Sequence, residues 1–267
     1  MKPFDTLRIG MTDQNKLTIF SELRNYLIFL KDYGFSEVPS ELGATLENRS
    51  NKNEISHLSI DSQSTPKMKP NDNFAPKATI TIEEVREELE NCTRCDLHKN
   101  RKKIVFGSGN PSADLVFVGE GPGADEDEQG FPFVGRAGKK LTEIIEKGMN
   151  LNREKDTYIC NIVKCRPPGN RDPKPGEIAT CNPFLTKQLH AIKPKAIIAL
   201  GKPAASTLLG RIVPIMKERG IWHEYEGIPL MLTLHPAYLL RAYTLENRRN
   251  VMNDMKKVLE KLKEETQ

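Results

Sequence analysis

Long apolar runs are missing from this 267-residue chain. None approaches the ~18–20 residues that a membrane-spanning helix requires, so no membrane partner is expected. The start lacks a basic stretch, an apolar core and a small-residue cleavage site, so no secretory signal is expected either. A reducing, cytoplasmic setting is then the default. Cysteine is scarce, with five residues, and in that setting thiols serve as ligands or stay free more often than they pair as disulfides. No G-x4-G-K-S/T phosphate cradle occurs, and no internal repeat. The hydrophobic fraction of 37% is low for a fully globular chain, so part of the sequence is expected to be linker.

Charge and patterning divide the chain. Residues 1–80 carry ten basic and ten acidic side chains, so the whole excess of +4 lies in residues 81–267. That excess permits nucleic-acid binding without requiring it. Residues 1–35 hold an amphipathic helix, with Phe20, Leu23, Leu27 and Leu30 at helical spacing. Its role is packing or docking a protein partner. Residues 36–80 are dominated by Asn, Ser, Lys and Pro and cannot bury enough apolar surface to order themselves, which marks a polar linker.

From residue 81 the pattern becomes regular. A helix is expected at 82–89. Short apolar runs at 114–118, 157–163, 196–200 and 229–234 have the character of buried parallel strands. Helical stretches lie between and after them at 137–149, 177–191, 203–208 and 246–263. The alternation predicts a doubly wound α/β sandwich with a mostly parallel four-stranded sheet.

The richest segment is Leu115-Val-Phe-Val-Gly-Glu-Gly-Pro-Gly, followed by the acidic run Asp125–Glu128, read as a loop, and by Pro132-Phe133. It brings charge, a bendable backbone and an aromatic face together, a combination suited to a planar polar ligand. Glu120, Asn161 and His235 each lie near the carboxyl-terminal end of a predicted strand, and parallel strands share one carboxyl-terminal edge, so the three side chains can meet in a cleft with Phe133. Gly119–Ala124 also matches a loose dinucleotide fingerprint. Pro122 removes a donor, the acidic run would repel a pyrophosphate, and the next helix is expected only near Arg136, so that reading is rejected.

Cys92 and Cys95 form a C-x2-C pair, and Cys165 and Cys181 a wider one. Four thiolates suit zinc or an iron–sulfur cluster, and spacing alone does not choose. The wide second pair leans toward [4Fe–4S], while one or two of these cysteines could simply be buried small residues. Cys160 lies in a predicted strand, where burial explains it. The loop from Lys164 to Gly176 is rigid and basic, which suits Arg166 and Arg171 to phosphate contacts. His235-Pro-Ala-Tyr-Leu-Leu-Arg241 sets Tyr238 and Leu239 beside Arg241, as in a wedge entering a base stack, or as in a loop packing Leu239 inward.

Together, Gly119-Glu-Gly-Pro-Gly, Pro132-Phe-Val-Gly, Asn161-Ile-Val-Lys-Cys-Arg-Pro-Pro-Gly-Asn-Arg and His235-Pro-Ala-Tyr-Leu-Leu-Arg closely resemble the family 4, iron–sulfur, uracil-DNA glycosylases over residues 83–262. Cys160 departs from the family, which is expected to carry Thr or a similar residue there. The resemblance implies a three-layer α/β/α sandwich and a [4Fe–4S] cluster on Cys92, Cys95, Cys165 and Cys181. It implies a monomer that repairs uracil-containing DNA near the nucleoid. Phe133 would stack on the flipped base, and the Asn161 amide would read its edge. His235 would donate to uracil O2, helped by backbone N–H groups near Gly121, and Pro122 would line the base-binding site. Glu120 or Glu126 would act on sugar or water, and Arg166, Arg171, Tyr238, Leu239 and Arg241 would contact DNA. A cluster-bearing DNA- or uracil-binding protein without catalysis, and a redox sensor, are the alternatives.

Overall fold

Four runs of aliphatic and β-branched residues make the centre of the molecule. A computed structural model describes residues 80–264. Its strands are β1 (Ser108–Gly109), β2 (Leu115–Gly119), β3 (Thr157–Asn161), β4 (Ala196–Leu200), β5 (Trp222–Tyr225) and β6 (Ile228–Thr233). They form one sheet in the order β1-β3-β2-β4-β6-β5. The expected four parallel strands are its core (β3, β2, β4, β6). Two short antiparallel strands, absent from the sequence reading, extend it to six. The expected segments at 1–35 and 36–80 lie outside the described residues, apart from Ile80. Among the described residues no helix is long and apolar enough to cross a membrane.

The helices are α1 (Ile82–Leu89), α2 (Ala124–Gln129), α3 (Arg136–Glu143), α4 (Pro175–Ile192), α5 (Lys202–Leu209), α6 (Ile215–Glu218), α7 (Pro236–Arg241) and α8 (Leu245–Glu264). Side chains alternate along a strand, so each strand feeds two cores. Val116, Val118, Ile197 and Ala199 pack with Val85, Leu185 and Ala204 of α1, α4 and α5. Leu115, Phe117, Ile198 and Leu200 pack with Leu141, Leu239 and Val251 of α3, α7 and α8. This is the expected three-layer α/β/α arrangement. Each fully buried aliphatic side chain contributes about 1.5–3 kcal/mol, so the two cores carry the fold.

Local chemistry sets the ends. Thr81 caps α1 by accepting from the Glu84 N–H at 3.2 Å, and Glu84 accepts from the Thr81 N–H in return. The acidic run expected to be a loop is helix α2. Asp125, Glu126 and Asp127 fill its first turn, where carboxylates complement the helix dipole, and Gly130 ends it in a left-handed conformation. A helix therefore does open directly after Gly123, contrary to one argument against the dinucleotide fingerprint. Pro122 and the acidic charge still exclude it. The helix expected at 137–149 is α3 continued by a π-helical turn at Ile144–Gly148.

The chain runs from β2 to β3 on one side, then crosses to β4 on the other. This reversal puts a crevice at the carboxyl-terminal edge of the sheet, where such folds bind ligands.

Candidate active site

The residues singled out at the strand ends do converge. Glu120 follows β2, Asn161 closes β3 and His235 follows β6 to cap α7. With Phe133 and Glu126 they line a cleft of about 360 Å³, within the size range of small-ligand sites. Gly121 and Pro122 form part of its wall, and Arg171 and Arg241 reach it too.

Missing side chains create the tight geometry. A Cβ on Gly119 would lie 2.4 Å from Asn161 Oδ1 and 2.6 Å from the Phe133 ring, so only glycine allows both to close on the β2 end. A Cβ on Gly138 would collide with the Phe133 carbonyl at 1.8 Å. Phe133 itself has φ 54°, a conformation costly for a residue with a bulky side chain. The Glu126 carboxylate holds that strain in place. It accepts from the Val134 and Gly135 N–H groups, both at 2.9 Å, and from Gly123 N–H at 3.1 Å. Arg153 anchors the loop from behind by donating to the Pro132 carbonyl at 2.8 Å. The Phe133 ring lies 5.7 Å from the His235 ring, tilted by 36°.

Electrostatics assign protons. His235 Nδ1 accepts from the Ala237 N–H at 3.1 Å, which leaves the proton of the neutral ring on Nε2. Burial, helped by the Arg241 charge, lowers the His235 pKa to about 4, so the ring is neutral at pH 7. Glu120 moves the other way. Burial, then the charge and hydrogen bond of Asp172, raise its pKa to about 7. Asn161 is 1% exposed, and its Oδ1 has no partner. A buried unpaired amide oxygen costs about 1–3 kcal/mol, a penalty that a ligand donor would remove. Behind it, the buried Lys164 Nζ donates to the Asn161 carbonyl at 2.6 Å and to Gln188 Oε1 at 2.5 Å, fixing the turn after β3.

The expected DNA contacts fare unequally. Arg241 is exposed and lines the cleft, while Tyr238 of α7 is half-buried and packs against the core. Leu239 is no wedge: it is 3% exposed and packs into the core beside α3 and α8, because a helix rather than a loop carries it. Arg171 is bidentate on Glu177, at 2.7 and 2.9 Å, and Arg166 donates to Asn170 at 2.7 Å. Asn170 and Asp172 also line the cleft. Neither was singled out from the sequence, since both sit in a Pro-rich loop whose return to the cleft only the fold reveals.

The four ligand-type cysteines gather on the α1/α4 side of the sheet. Cys165 and Cys181 are buried, with Cys92 and Cys95 packed against the same core. Burial is the main cause raising the thiol pKa of Cys95 and Cys165 and pushing Cys181 to about 11, and neighbouring cysteines add to it. Arg101 donates to Cys165 Sγ at 3.2 Å and to the Cys92 carbonyl at 2.7 Å. The Lys164 N–H points at Cys181 Sγ from 3.4 Å. Cys160 is buried in β3, as expected.

The profile of the uracil DNA glycosylase superfamily matches residues 106–263. The chain is 48% identical to the type-4 uracil-DNA glycosylase of Thermotoga maritima over 187 residues, 69% of this chain and 96% of that relative. It is 41% identical to the Archaeoglobus fulgidus type-4 enzyme over 186 residues, 67% of this chain and 92% of the relative. The corresponding values for Saccharolobus solfataricus are 43% over 187 residues, 67% and 85%. The chain belongs to the type-4 uracil-DNA glycosylases of that superfamily.

Proposed function

We infer that the protein is a uracil-DNA glycosylase that extrudes uracil from DNA and hydrolyses its N-glycosidic bond, leaving an abasic site. The relatives support the activity. The observation that carries the site is the unpartnered Asn161 Oδ1, buried beside an aromatic ring and a neutral histidine. The base must leave the stack before its glycosidic bond can be reached. Phe133 offers the face for it. The Asn161 amide has one acceptor and one donor head, complementary to uracil N3–H and O4. Cytosine presents the opposite pair at those positions and would leave both heads of the amide unsatisfied.

Cleavage sends the electron pair of the N1–C1′ bond to the base and leaves a cationic sugar. His235 Nε2–H donates toward uracil O2, where negative charge grows. A preorganised donor of this kind is worth about 2.7–4 kcal/mol of barrier. Glu120 serves as the carboxylate for sugar or water. The oxygen of water bonds to C1′, and its released proton passes to Glu120 or to solvent. Glu126 has the different role of positioning the Phe133 loop, because its oxygens already accept three backbone N–H groups. Arg166, Tyr238 and Arg241 are proposed to meet the DNA, and Arg171 chiefly stiffens the loop.

Cys92, Cys95, Cys165 and Cys181 are proposed to hold a [4Fe–4S] cluster. Among the described residues no three His, Cys, Asp or Glu side chains stand close enough to share one ion. The Arg101 and Lys164 N–H donors suit cluster thiolates. Through these four cysteines, residues 92–95, the turn after β3 and α4 would be tied together by a bound cluster.

The test is to incubate purified protein with an oligonucleotide bearing one uracil, treat with alkali, and record visible absorption of the same sample. Strand scission at the uracil by a brown protein is expected. A brown protein that leaves the strand intact would point to binding or redox function, and a colourless active one would overturn the cluster.

A further inference from the structure

Lys164 is a fully buried lysine to which the reaction assigns no step. It lies three residues beyond Asn161, in the turn after β3. Its Nζ donates to the Asn161 carbonyl at 2.6 Å and to Gln188 Oε1 at 2.5 Å. Neither acceptor is a carboxylate, so these hydrogen bonds must offset the burial of the amine. Even a neutral amine has two N–H groups, one for each acceptor, so the grip does not depend on its charge. Gln188 of α4 is itself fixed. Its Nε2 donates to the Phe106 carbonyl at 3.0 Å, which turns Oε1 toward the lysine. The Lys164 main chain is anchored too: its carbonyl accepts from the Val105 N–H at 2.8 Å, and its N–H points at Cys181 Sγ from 3.4 Å.

That frame reaches the cleft through the turn between Asn161 and Lys164. The Ile162 N–H donates to the Gly119 carbonyl at 2.9 Å and the Val163 N–H to the Glu120 carbonyl at 3.1 Å. A Cβ on Gly121 would lie 2.8 Å from Val163 Cγ2, so the same turn abuts the cleft wall. The end of β2 and the Asn161 main chain are therefore held in one register. We propose that Lys164 is a positioning residue for base reading: by gripping the Asn161 carbonyl and Gln188 of α4 together, it aims the Asn161 amide at the flipped base. The proposal rests on Asn161 being the residue that reads the uracil edge.

Loosening that grip should harm the reading of the base and leave the rest of the DNA surface alone. Lys164→Met keeps an unbranched side chain of similar length and removes both N–H donors. Free uracil, which offers the base and nothing else, should bind about tenfold more weakly, and the single-turnover rate constant should fall by a similar factor. Affinity for a duplex carrying an abasic site, which has no base to read, should be unchanged. A lysine that only stabilised the fold would not split the two ligands. Loss of folded protein lowers the amplitude of the single turnover rather than its rate constant, and it removes both binding activities alike.

Equilibrium binding of free uracil and of an abasic-site duplex, together with single-turnover excision, tests the proposal on wild type, Lys164→Met, Gln188→Leu and Asn161→Ala. Iron content and thermal unfolding are recorded for each preparation. The expected result is weaker uracil binding in Lys164→Met at unchanged abasic-site binding and iron content. A smaller loss of the same kind is expected in Gln188→Leu, where Nζ keeps only the Asn161 carbonyl. Uracil binding equal to wild type in a folded Lys164→Met, or in Gln188→Leu where the first variant does not fold, overturns the role of Lys164, provided Asn161→Ala still weakens it. A parallel loss of both ligands, or a loss seen only with lost iron, overturns it as well. Uracil binding that survives in Asn161→Ala overturns the proposal together with the assignment of Asn161.

Discussion

Asp254 and Asn161 are both buried polar side chains at the carboxyl-terminal edge of the sheet, yet they are treated in opposite ways. Asp254, on α8, accepts from Thr233 Oγ1 at 2.6 Å and from Arg219 Nε at 3.0 Å, with Arg219 Nη2 as a third donor. Arg219 in turn donates to the Asn250 carbonyl at 2.6 Å. The network is complete and ties α8 to the end of β6. Asn161, at the end of β3, keeps an oxygen without a partner. It sits beside a phenylalanine in a left-handed conformation and a histidine whose proton is poised on Nε2. One cluster spends its polar groups on the fold. The other leaves them open at a cost in stability, as expected where a ligand completes the set.

The sharpest way to break the comparison is Asp254→Ala. Removing one side of a buried ion pair leaves Arg219 uncompensated and should cost about 3–5 kcal/mol of stability, read as a lower denaturant midpoint. The folded fraction should still prefer uracil to cytosine. His235→Ala should show the reverse emphasis: excision slowed roughly 10²–10³-fold, with only about 1 kcal/mol of stability lost as the cap of α7 goes. A smaller effect is expected from Glu126→Ala, which orphans three backbone donors around Phe133. About 1–3 kcal/mol of stability should be lost, with weaker substrate binding as the loop loosens.

The smallest effects are in the pH dependence of stability. Glu120 binds its proton more tightly folded than unfolded, with a pKa of about 7 against 4.5. Its contribution is full below 4.5 and is lost as pH rises through 7. His235, at about 4 folded against 6.5, contributes above 6.5 and loses that contribution as pH falls through 4. The two oppose each other between 4.5 and 6.5. Melting temperatures should therefore decline less toward alkaline pH in Glu120→Gln, and less toward acid in His235→Gln.

Much of this was legible in the residues. The run at 196–200 matches β4 residue for residue, because a strand buried on both faces must be apolar throughout. The expected run at 157–163 exceeds β3 by two residues, since Ile162 and Val163 remain buried after strand pairing ends. Strands β1 and β5 escaped because one has two residues and the other, Trp222-His-Glu-Tyr, is polar and only partly buried. Helix α2 was hidden by its acidity, although carboxylates in a first turn are a helix-start signal. Pro236 at the first position of α7 is a similar signal, and it favours the inward-packing alternative for Leu239 over the wedge. Glu120, Phe133, Asn161 and His235 could be placed because strand ends predict convergence. Asp172 could not, since only the path of the loop between β3 and α4 brings it to the cleft.

The central claim is that Asn161 is left unsatisfied in order to read the base. The most direct measurement is single-turnover excision of uracil by wild type and Asn161→Ala, with thermal unfolding of the same preparations. The account predicts a rate lower by about 10²-fold or more and a midpoint equal to or above wild type, because a buried unpaired amide has been removed. An undiminished rate, or a loss of rate explained by a fallen midpoint, would contradict it.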